Sequence, residues 1–158
     1  PEGGRTKHMP SSWTQNFYHT LLSTKNRVPM ITPEFEERLY PFIGGIVRDL
    51  RCRLVAINGM PDHVHLLIQY RADLSHSDML KNIKSRSSKW IHETFPNLGH
   101  FAWQEGYGGF TVSKSVVPAV EDYIRRQKEH HKKQDFKTEF LELLRKHGIE
   151  FDEREVFN

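Results

Sequence analysis

Two histidines, His63 and His65, are the side chains whose type and spacing first suggest chemistry. They lie in residues 61–70, where β-branched and other apolar residues dominate, and this composition predicts a strand. Side chains on a strand alternate between its two faces, so both imidazoles share one face and the apolar side chains share the other. Two imidazoles on one face can converge on a single cation. Alone, however, such a pair is more often hydrogen-bonded or simply exposed.

A second group of reactive side chains lies near residue 125. Tyr123 and Gln127 are four residues apart and His130 follows three later, so a helix would align all three on one face. His131 belongs to the neighbouring stripe. Each residue alone has an ordinary explanation, such as a packed aromatic or a solvated helix side chain. The combination is typical of phosphoryl transfer, in which the tyrosine oxygen attacks a phosphodiester.

The same residues predict a metal site. A divalent cation held by His63, His65 and the Gln127 oxygen would polarise a phosphate and leave positions open for substrate oxygens. Magnesium generally prefers oxygen ligands, so Mg²⁺ and Mn²⁺ are both candidates, and manganese or another transition ion suits the imidazoles better.

Composition sets limits on the class of protein. The chain has 158 residues, a hydrophobic fraction of 37% and one cysteine, Cys52, which excludes an intramolecular disulfide and favours a reducing cytoplasm. No apolar run reaches the length of a membrane span, and we expect no membrane partner and no signal peptide. Residues 1–8 are expected to be a tag remnant or a disordered arm, residues 9–148 one domain, and residues 149–158 an acidic tail.

Basic residues are clustered, and the sequence pI is about 9.1. Such clustering suggests a nucleic-acid partner. On composition alone, ordinary solvated helix faces explain the basic residues equally well. Lys25 and Arg27 follow the first strand, and Lys81 and Lys84 lie on one flank of a predicted helix together with two serines. The candidate nucleic-acid contacts are Lys25, Arg27, Lys81, Lys84, Arg86, Arg125, His130 and His131.

The order of elements predicts the fold. Strand, helix, strand, strand, helix, strand is the split β-α-β plan of an α+β, ferredoxin-like (RRM-like) antiparallel sheet. With helices on one face only, the two imidazoles would lie on the other face, available to a substrate or to another element. The predicted elements are a strand at 13–24, a helix at 33–51 kinked by Pro41, strands at 52–57 and 61–70 joined by a turn at 58–61, a helix at 75–95, a strand within 101–112, a helix capped by Ser115 and running to 134, and a last helix at 135–147.

Several of these segments also carry a family resemblance. Residues 62–67 (Asp-His-Val-His-Leu-Leu) resemble the HUH motif, His–bulky hydrophobic–His, of the small single-tyrosine, IS200-like transposases of bacterial insertion sequences. Residues 120–131 resemble the nucleophile helix of that family, where a tyrosine, a glutamine four residues on and a histidine pair recur. Residues 24–27, 83–88 and 103–110 also match, and the resemblance spans about residues 13–135.

The resemblance implies a mechanism and partners. Tyr123 would form a 5′-phosphotyrosine link to single-stranded DNA and release a 3′-OH, and His63, His65 and Gln127 would bind the metal. The substrate would be DNA with hairpin ends, and the protein a homodimer whose active sites are completed in trans, acting in the bacterial cytoplasm at the nucleoid. Relatives that act on repetitive extragenic palindromes share the motifs, so a mobile-element role and a genomic role both stay open.

Two other functions compete with strand transfer. The first is a non-catalytic module that binds single strands by stacking bases on aromatic residues of the sheet. The second is a metal-dependent phosphoesterase that uses activated water. We expect the absence of clustered Asp and Glu around the histidine pair to argue against hydrolysis, because hydrolytic metal sites usually recruit carboxylates.

Overall fold

The computed structural model describes residues 12–132 and 134–156. The predictions for residues 1–8 and for the start of the domain at residues 9–11 therefore lie outside the described residues. The described chain forms one four-stranded antiparallel sheet with helices on both faces. Its strands are β1 (Asn16–Ser23), β2 (Arg53–Met60), β3 (His63–Tyr70) and β4 (Gly108–Val112), and its helices are α1 (Pro33–Asp49), α2 (His76–Thr94), α3 (Val117–Arg125), α4 (Gln127–His130), α5 (Phe136–Lys146) and α6 (Glu153–Val156).

The sheet has the strand order β2-β3-β1-β4, and every neighbouring pair is antiparallel. The chain order is β1-α1-β2-β3-α2-β4, which confirms the predicted α+β, ferredoxin-like class. In this order β3 and β1 are the two central strands, and they pair from Asn16 opposite Tyr70 to Ser23 opposite His63. A side chain on either central strand is therefore flanked by backbone on both sides.

The first face of the sheet packs against α1 and α2. Thr32 caps α1 by accepting a hydrogen bond from the Phe35 amide, with Pro33 in the first turn, as predicted. Ser75 caps α2 in the same way through the Asp78 amide. The alternating apolar residues of β3 enter this layer, which is fully buried at Val64, Leu66 and Ile68.

The second face is covered by the C-terminal helices, so of the two predicted possibilities another element, rather than solvent, meets the imidazole face. The helices α3 and α5 pack on this face through two separate clusters. The first cluster joins α3 to β1, β2 and β3 through Phe17, Ala56, Leu67, Val117 and Ile124. The second joins α5 to β1 and β4 through Leu21, Phe110, Phe136, Leu141 and Leu144.

The prediction of one continuous helix from Ser115 to residue 134 is wrong, because this segment is divided into a short turn and two helices. Ser115 lies in a short 3₁₀ turn, Lys114–Val116, and α3 begins at Val117 without a side-chain cap. At Arg126 the backbone leaves helical geometry, with φ −96° and ψ 18°, and α4 starts afresh at Gln127. The residues after the break are therefore rotated away from the helical face that a continuous α3 would give them.

The predicted β2-β3 turn is also wrong. Asn58 and Gly59 belong to β2, opposite His65 and Val64, and the chain reverses at Pro61 and Asp62. The reason that glycine stands here is close approach, because a Cβ on Gly59 would lie 2.1 Å from the His63 carbonyl oxygen. The first strand starts at Asn16 rather than residue 13, where Trp13 is exposed, and the fourth is limited to Gly108–Val112.

The C-terminal region is anchored to the domain. Asp135 caps α5 through the Thr138 amide, and Gly148, at φ 67°, follows its end as predicted. In the predicted acidic tail, Phe151 and Val156 pack against the α5 cluster. Within residues 12–132 and 134–156, no helix is both long and apolar enough to span a bilayer.

Gly59→Ala should destabilise the protein, because the new methyl group meets the backbone of the hairpin that carries His63. We expect a loss of about 1–3 kcal/mol in the free energy of unfolding, measured by urea denaturation. Gly45→Ala is the matched control, because the nearest atom to its Cβ is an Arg48 side-chain nitrogen at 3.9 Å. In the middle of α1 that change should stabilise by up to about 1 kcal/mol. Equal stability of the two variants would contradict the close-approach explanation.

Candidate metal and tyrosine site

His63 and His65 lie on β3 with their imidazoles between the sheet and the C-terminal helices. Both side chains are fully buried. Neither is exposed to solvent on the face of the sheet that carries it. Their burial follows from strand alternation, since the opposite side of β3 supplies the core beneath α1 and α2. The side chains of α3 to α5 therefore decide what the imidazoles contact.

The contact partner is a carboxylate, Glu139 of α5, which is 2% exposed. Its Oε1 atom accepts hydrogen bonds from Nε2 of His65 and of His131, both at 3.0 Å. The Nε2 atom of His63 lies 3.6 Å from the same oxygen. One carboxylate oxygen thus stands at the meeting point of three imidazoles.

The other oxygen of Glu139 faces the predicted nucleophile. Tyr123 donates its hydroxyl proton to Oε2, and Gln127 donates an amide hydrogen to the same atom at 3.1 Å. The Gln127 oxygen accepts from Nε2 of His63 at 3.4 Å. Glu139 therefore connects the tyrosine directly to the histidine cluster.

The donor set fits a metal ion. One ligand atom from each of His63, His65, His131 and Glu139 lies within 4.8 Å of the others, so these four residues could hold an ion. Neighbouring donors bound at about 2.1 Å from one ion lie roughly 3.0–3.4 Å apart, close to the separations seen around Oε1. The Gln127 carboxamide adjoins this set. Three imidazoles and one carboxylate are ligands that transition ions prefer.

Two further residues orient the imidazoles from behind. His63 donates from Nδ1 to the Asp62 carboxylate at 2.7 Å, which directs Nε2 towards Glu139. Nδ1 of His65 shares a 2.8 Å hydrogen bond with Nε2 of the buried His19 on β1. Outer partners of this kind fix the ring plane and the tautomer of a ligating histidine.

Burial and hydrogen bonding shift the pKa values of this cluster in opposite directions. Burial would raise the pKa of Glu139, but hydrogen bonds from His131, His63 and His65 outweigh it and hold the pKa well below its usual range. Burial lowers the pKa of His65 to about 4, and hydrogen bonding to Glu139 offsets only part of that effect. Burial also lowers the pKa of His63, but hydrogen bonds to Asp62 and Glu139 reverse the sign and leave it raised. Glu139 is therefore ionised and His65 neutral near pH 7.

Burial raises the pKa of Tyr123, and its hydrogen bond to Glu139 raises it further. The phenol is accordingly protonated, with its oxygen held at the edge of the cluster. Its ring lies 4.6 Å from the His130 ring and 6.1 Å from that of His19. The tyrosine is thus held at its hydroxyl by Glu139 and at its ring by the two histidines.

The structure brings together four of the predicted reactive residues, Tyr123, Gln127, His63 and His65. The break at Arg126 divides the histidine pair, because His131 joins the cluster and is 6% exposed while His130 packs beside the Tyr123 ring. The sequence aligned His130 with Tyr123 and Gln127 and put His131 on the neighbouring stripe, and the structure keeps His130 beside the Tyr123 ring. The sequence placed both histidines among the DNA contacts, and the structure directs His131 inward.

Sequence reasoning missed Glu139 and His19. The expectation that carboxylates do not cluster around the histidine pair is wrong, since Glu139, 74 residues from His65 in the chain, is in hydrogen-bond contact with it, and Asp62 contacts His63. A signal was present, because Glu139 falls three residues after Phe136 on the apolar side of an amphipathic helix. A carboxylate at a buried helical position needs a partner.

The predicted basic residues form a neighbouring surface. The Lys25–Arg27 turn begins after Thr24, and its Lys25 amide donates to the Ala102 carbonyl. From α2, the Lys84 ammonium donates to the carbonyl oxygens of Gln104 and Gly106, at 2.8 and 2.6 Å. A groove next to these contacts is lined by Lys81, Lys84, Ser85, Ser88, Ala102, Trp103, Gln104 and Glu105.

The remaining predicted DNA contacts form ion pairs on the surface. Arg86 lies 2.7 Å from Asp49, and Arg125 lies 2.7 Å from Glu121 one helical turn away. Exposed pairs of this kind contribute only about 0–1 kcal/mol, so a phosphate could displace either carboxylate. Their contact with DNA stays a prediction.

Comparison with known proteins gives a consistent result. The sequence model of the family described as "Transposase IS200 like" matches residues 12–127. The ISDra2 transposase TnpA of Deinococcus radiodurans is 26% identical over 115 residues, 70% of this chain and 82% of that protein. The transposase for insertion sequence element IS200 of Salmonella typhimurium is 29% identical over 124 residues, 73% of this chain and 78% of that protein.

Solved structures agree with the sequence comparison. The crystal structure of a candidate transposase from Deinococcus radiodurans superposes with a TM-score of 0.62 at 28% identity, covering 74% of this chain and 94% of the other. A REP-associated tyrosine transposase bound to a REP hairpin has the same fold, with a TM-score of 0.59 at 18% identity over 76% and 71% of the two chains.

The antiparallel sheet with its covering helices is thus a fold that this chain shares with a solved transposase structure. Since the family match covers well over half of its length, the chain belongs to the IS200-like transposase family.

Glu139→Gln should weaken divalent-metal binding, because it removes the negative charge at the centre of three imidazoles while keeping the side-chain shape. We expect Mn²⁺ affinity, measured by isothermal titration, to fall by about 10-fold or more, since even the outer partners of metal ligands commonly contribute 10–100-fold. Glu142→Gln, an exposed position on the same helix, is the matched control. Equal Mn²⁺ affinity in both variants would exclude Glu139 from the metal site.

Proposed function

We propose that this transposase cuts and rejoins single-stranded DNA by transesterification, with Tyr123 as the nucleophile. The observation that carries the proposal is the double contact of Glu139, with one oxygen on the Tyr123 hydroxyl and the other among three imidazoles. A phenol adjacent to a candidate metal site is placed to attack a phosphate that binds there.

In the cutting step the Tyr123 hydroxyl gives up its proton as its oxygen forms a bond to phosphorus, and the bond from phosphorus to the 3′ oxygen breaks. The 3′ oxygen takes up a proton and leaves as a hydroxyl, and the 5′ phosphate stays on the tyrosine. Rejoining is the reverse attack by a 3′-OH, so the bond energy is conserved and no nucleotide cofactor is needed. Glu139 and Gln127 hold the tyrosine in position.

The proposed cofactor is a divalent metal ion at His63, His65, His131 and Glu139, with Gln127 beside them. When bound, the ion would polarise the scissile phosphate and stabilise the charge that develops on it. Mg²⁺ and Mn²⁺ are the candidates, and the three imidazoles favour manganese. Asp62 and His19 would then act through the histidines they orient.

The proposed substrate is single-stranded DNA with a hairpin. The basic turn at Lys25–Arg27 and the α2 groove at Lys81 and Lys84 lie on adjoining segments, so they could follow one phosphate backbone. The turn also starts two residues beyond Ser23, the partner of His63 in the sheet, which puts it near the cluster. A structural relative bound to a REP hairpin supports the same substrate class.

The contacts of α3 and α4 support a site completed within one chain, in contrast to the trans arrangement that the resemblance implies. Asn58 of β2 donates to the Arg125 carbonyl at 2.9 Å, and Lys128 donates to the Gly59 carbonyl at 2.9 Å. These bonds fasten the tyrosine segment to the same sheet that carries the histidines. We therefore propose a cis active site, whether or not the protein dimerises.

Metal-dependent hydrolysis is the second candidate, and Glu139 is the observation that favours it. A carboxylate within the histidine cluster removes the argument that hydrolytic ligands are absent. The two functions differ in their product, because hydrolysis leaves no bond between protein and DNA. Tyr123 is a bystander in the hydrolytic mechanism.

Tyr123→Phe should abolish cutting and leave DNA binding almost unchanged, because it deletes only the attacking oxygen. The test mixes protein, Mn²⁺ and a labelled single strand carrying a hairpin from the flanks of its own gene, followed by a denaturing gel. The wild-type protein should yield a covalent protein–DNA band that needs metal. Tyr70→Phe is a control, since the Tyr70 hydroxyl lies on the opposite, α2-facing side of the sheet.

If the DNA is cut without a covalent band, and Tyr123→Phe still cuts it, the protein hydrolyses DNA and the strand-transfer proposal is wrong. Binding without any cutting, across all flanking hairpins and with both metals, would leave the non-catalytic binding protein.

A mixture of two inactive variants tests the cis arrangement. Tyr123→Phe and His63→Ala each lack one half of the site, and a cis site predicts that mixing them restores no cutting, apart from traces of wild type. A trans site predicts recovery towards about half of the wild-type activity of the mixed dimers, because each could assemble one complete site. Subunit exchange is checked beforehand with differently tagged copies.

A further inference from the structure

A cavity of about 440 Å³ lies beside Tyr123, between α3 and α5 and above β1 and β4. Its size falls in the range of about 300–1,000 Å³ that is typical of small-molecule sites. The deep end is formed by the buried His19, and the outer rim carries exposed residues of both helices. The ten lining residues are His19, Thr111, Val112, Val116, Ala119, Val120, Tyr123, Leu143, Lys146 and His147.

The lining combines apolar walls, aromatic rings and positive charge. Five of the ten lining residues are aliphatic, and none is acidic. At the rim, the His147 ring stacks on Phe110 with centroids 4.3 Å apart, and its Nδ1 donates to the Leu143 carbonyl at 2.8 Å. The ring is thus fixed in orientation before any ligand arrives. Lys146 adds an ammonium beside it.

Tyr123 belongs both to the cavity and to the reacting centre. Its ring lines the cavity while its hydroxyl contacts Glu139 outside it. A phosphodiester attacked by that hydroxyl must have the sugars and bases of its two nucleotides close by. The cavity adjoins the Tyr123 ring, its apolar and aromatic walls could contact a flat base, and Lys146 at its rim could contact a phosphate.

We propose that this cavity is a nucleobase subsite, which takes the base of one nucleotide directly adjoining the scissile phosphate. Single-stranded nucleic acid is commonly bound by stacking of bases on aromatic side chains within a positively charged groove. Here the fixed His147 and Tyr123 rings supply the stacking surfaces, and Lys146 faces the backbone. The proposal rests on the function proposed above, since it takes Tyr123 as the attacking group.

Ala119→Trp is the variant that tests the subsite. Ala119 is exposed at the rim, so an indole there fills the cavity without replacing a core side chain. Ala72→Trp, in the loop after β3 and outside the cavity lining, is the matched control. Circular dichroism and thermal unfolding establish that both variants are folded.

The substrates are hairpin oligonucleotides whose single-stranded flank carries one abasic site, moved along one position at a time. The length of the released product identifies the scissile phosphate. For the wild type and Ala72→Trp, an abasic site at one adjoining position should slow formation of the covalent band by about 10-fold or more. Ala119→Trp should form the covalent band with the intact strand at this reduced rate. The abasic site should not lower its rate further, because two changes that remove the same interaction have non-additive effects.

Full additivity of the two changes, or an Ala119→Trp variant as fast as Ala72→Trp, would overturn the subsite and leave the proposed function intact. Absence of a covalent band in every protein would instead refute the proposed function. Binding then decides the subsite, with the fluorescent base 2-aminopurine scanned along the flank. If 2-aminopurine at one position changes its emission on binding Ala72→Trp but not on binding Ala119→Trp, the subsite is supported. If its emission is identical with both variants at every position, the subsite is overturned.

Discussion

The buried carboxylate of Glu139 is the constraint on which the rest of the site depends. An ionised carboxylate cannot remain buried without partners, and here five side chains supply them: His63, His65, His131, Tyr123 and Gln127. These partners come from β3, α3, α4 and the turn after α4. Satisfying one charge therefore fixes the relative positions of the strand that carries the histidines and the segment that carries the tyrosine.

This arrangement explains why both faces of the sheet are covered. The face beneath α1 and α2 is held mainly by apolar packing, with polar contacts such as that of Thr20 with His76, and β3 is one of the two central strands of the sheet. The opposite face carries polar side chains on β1 and β3, so apolar contacts cannot cover it completely. Two apolar clusters anchor α3 and α5 on either side, and the polar cluster lies between them. Rigid elements thus support the reactive groups from all sides.

The same geometry relates the chemistry to its surroundings. Tyr123 has its hydroxyl in the polar cluster and its ring in the cavity between α3 and α5, while the basic turn after β1 starts close to the partner of His63. The hydroxyl of Tyr123 therefore lies between the polar cluster and a cavity with apolar walls. Membership of the IS200-like transposase family agrees with this combination of surfaces.

The fold could be predicted from local patterns because apolar periodicity and capping residues act over a few neighbours. Strand alternation put His63 and His65 on one face, Thr32 and Ser75 marked the starts of two helices, and the order of elements identified the sheet. The predictions were wrong where contacts between segments, rather than local sequence, set the ends of strands and helices. Gly59 pairs with Val64 within β2 instead of forming the turn, and the helix that carries Tyr123 breaks at Arg126.

The sequence by itself determined the fold class, put the histidine pair on one face of a strand, and singled out Tyr123 and Gln127 by their spacing. Only the tertiary structure decided that Glu139 and His19 join them, and that Tyr123 and Gln127, on two separate helices, meet the cluster together with His131. The physical reason is that a buried charge selects its partners by proximity in space. Glu139 lies 74 residues from His65 along the chain, and no local pattern reports a contact at that separation.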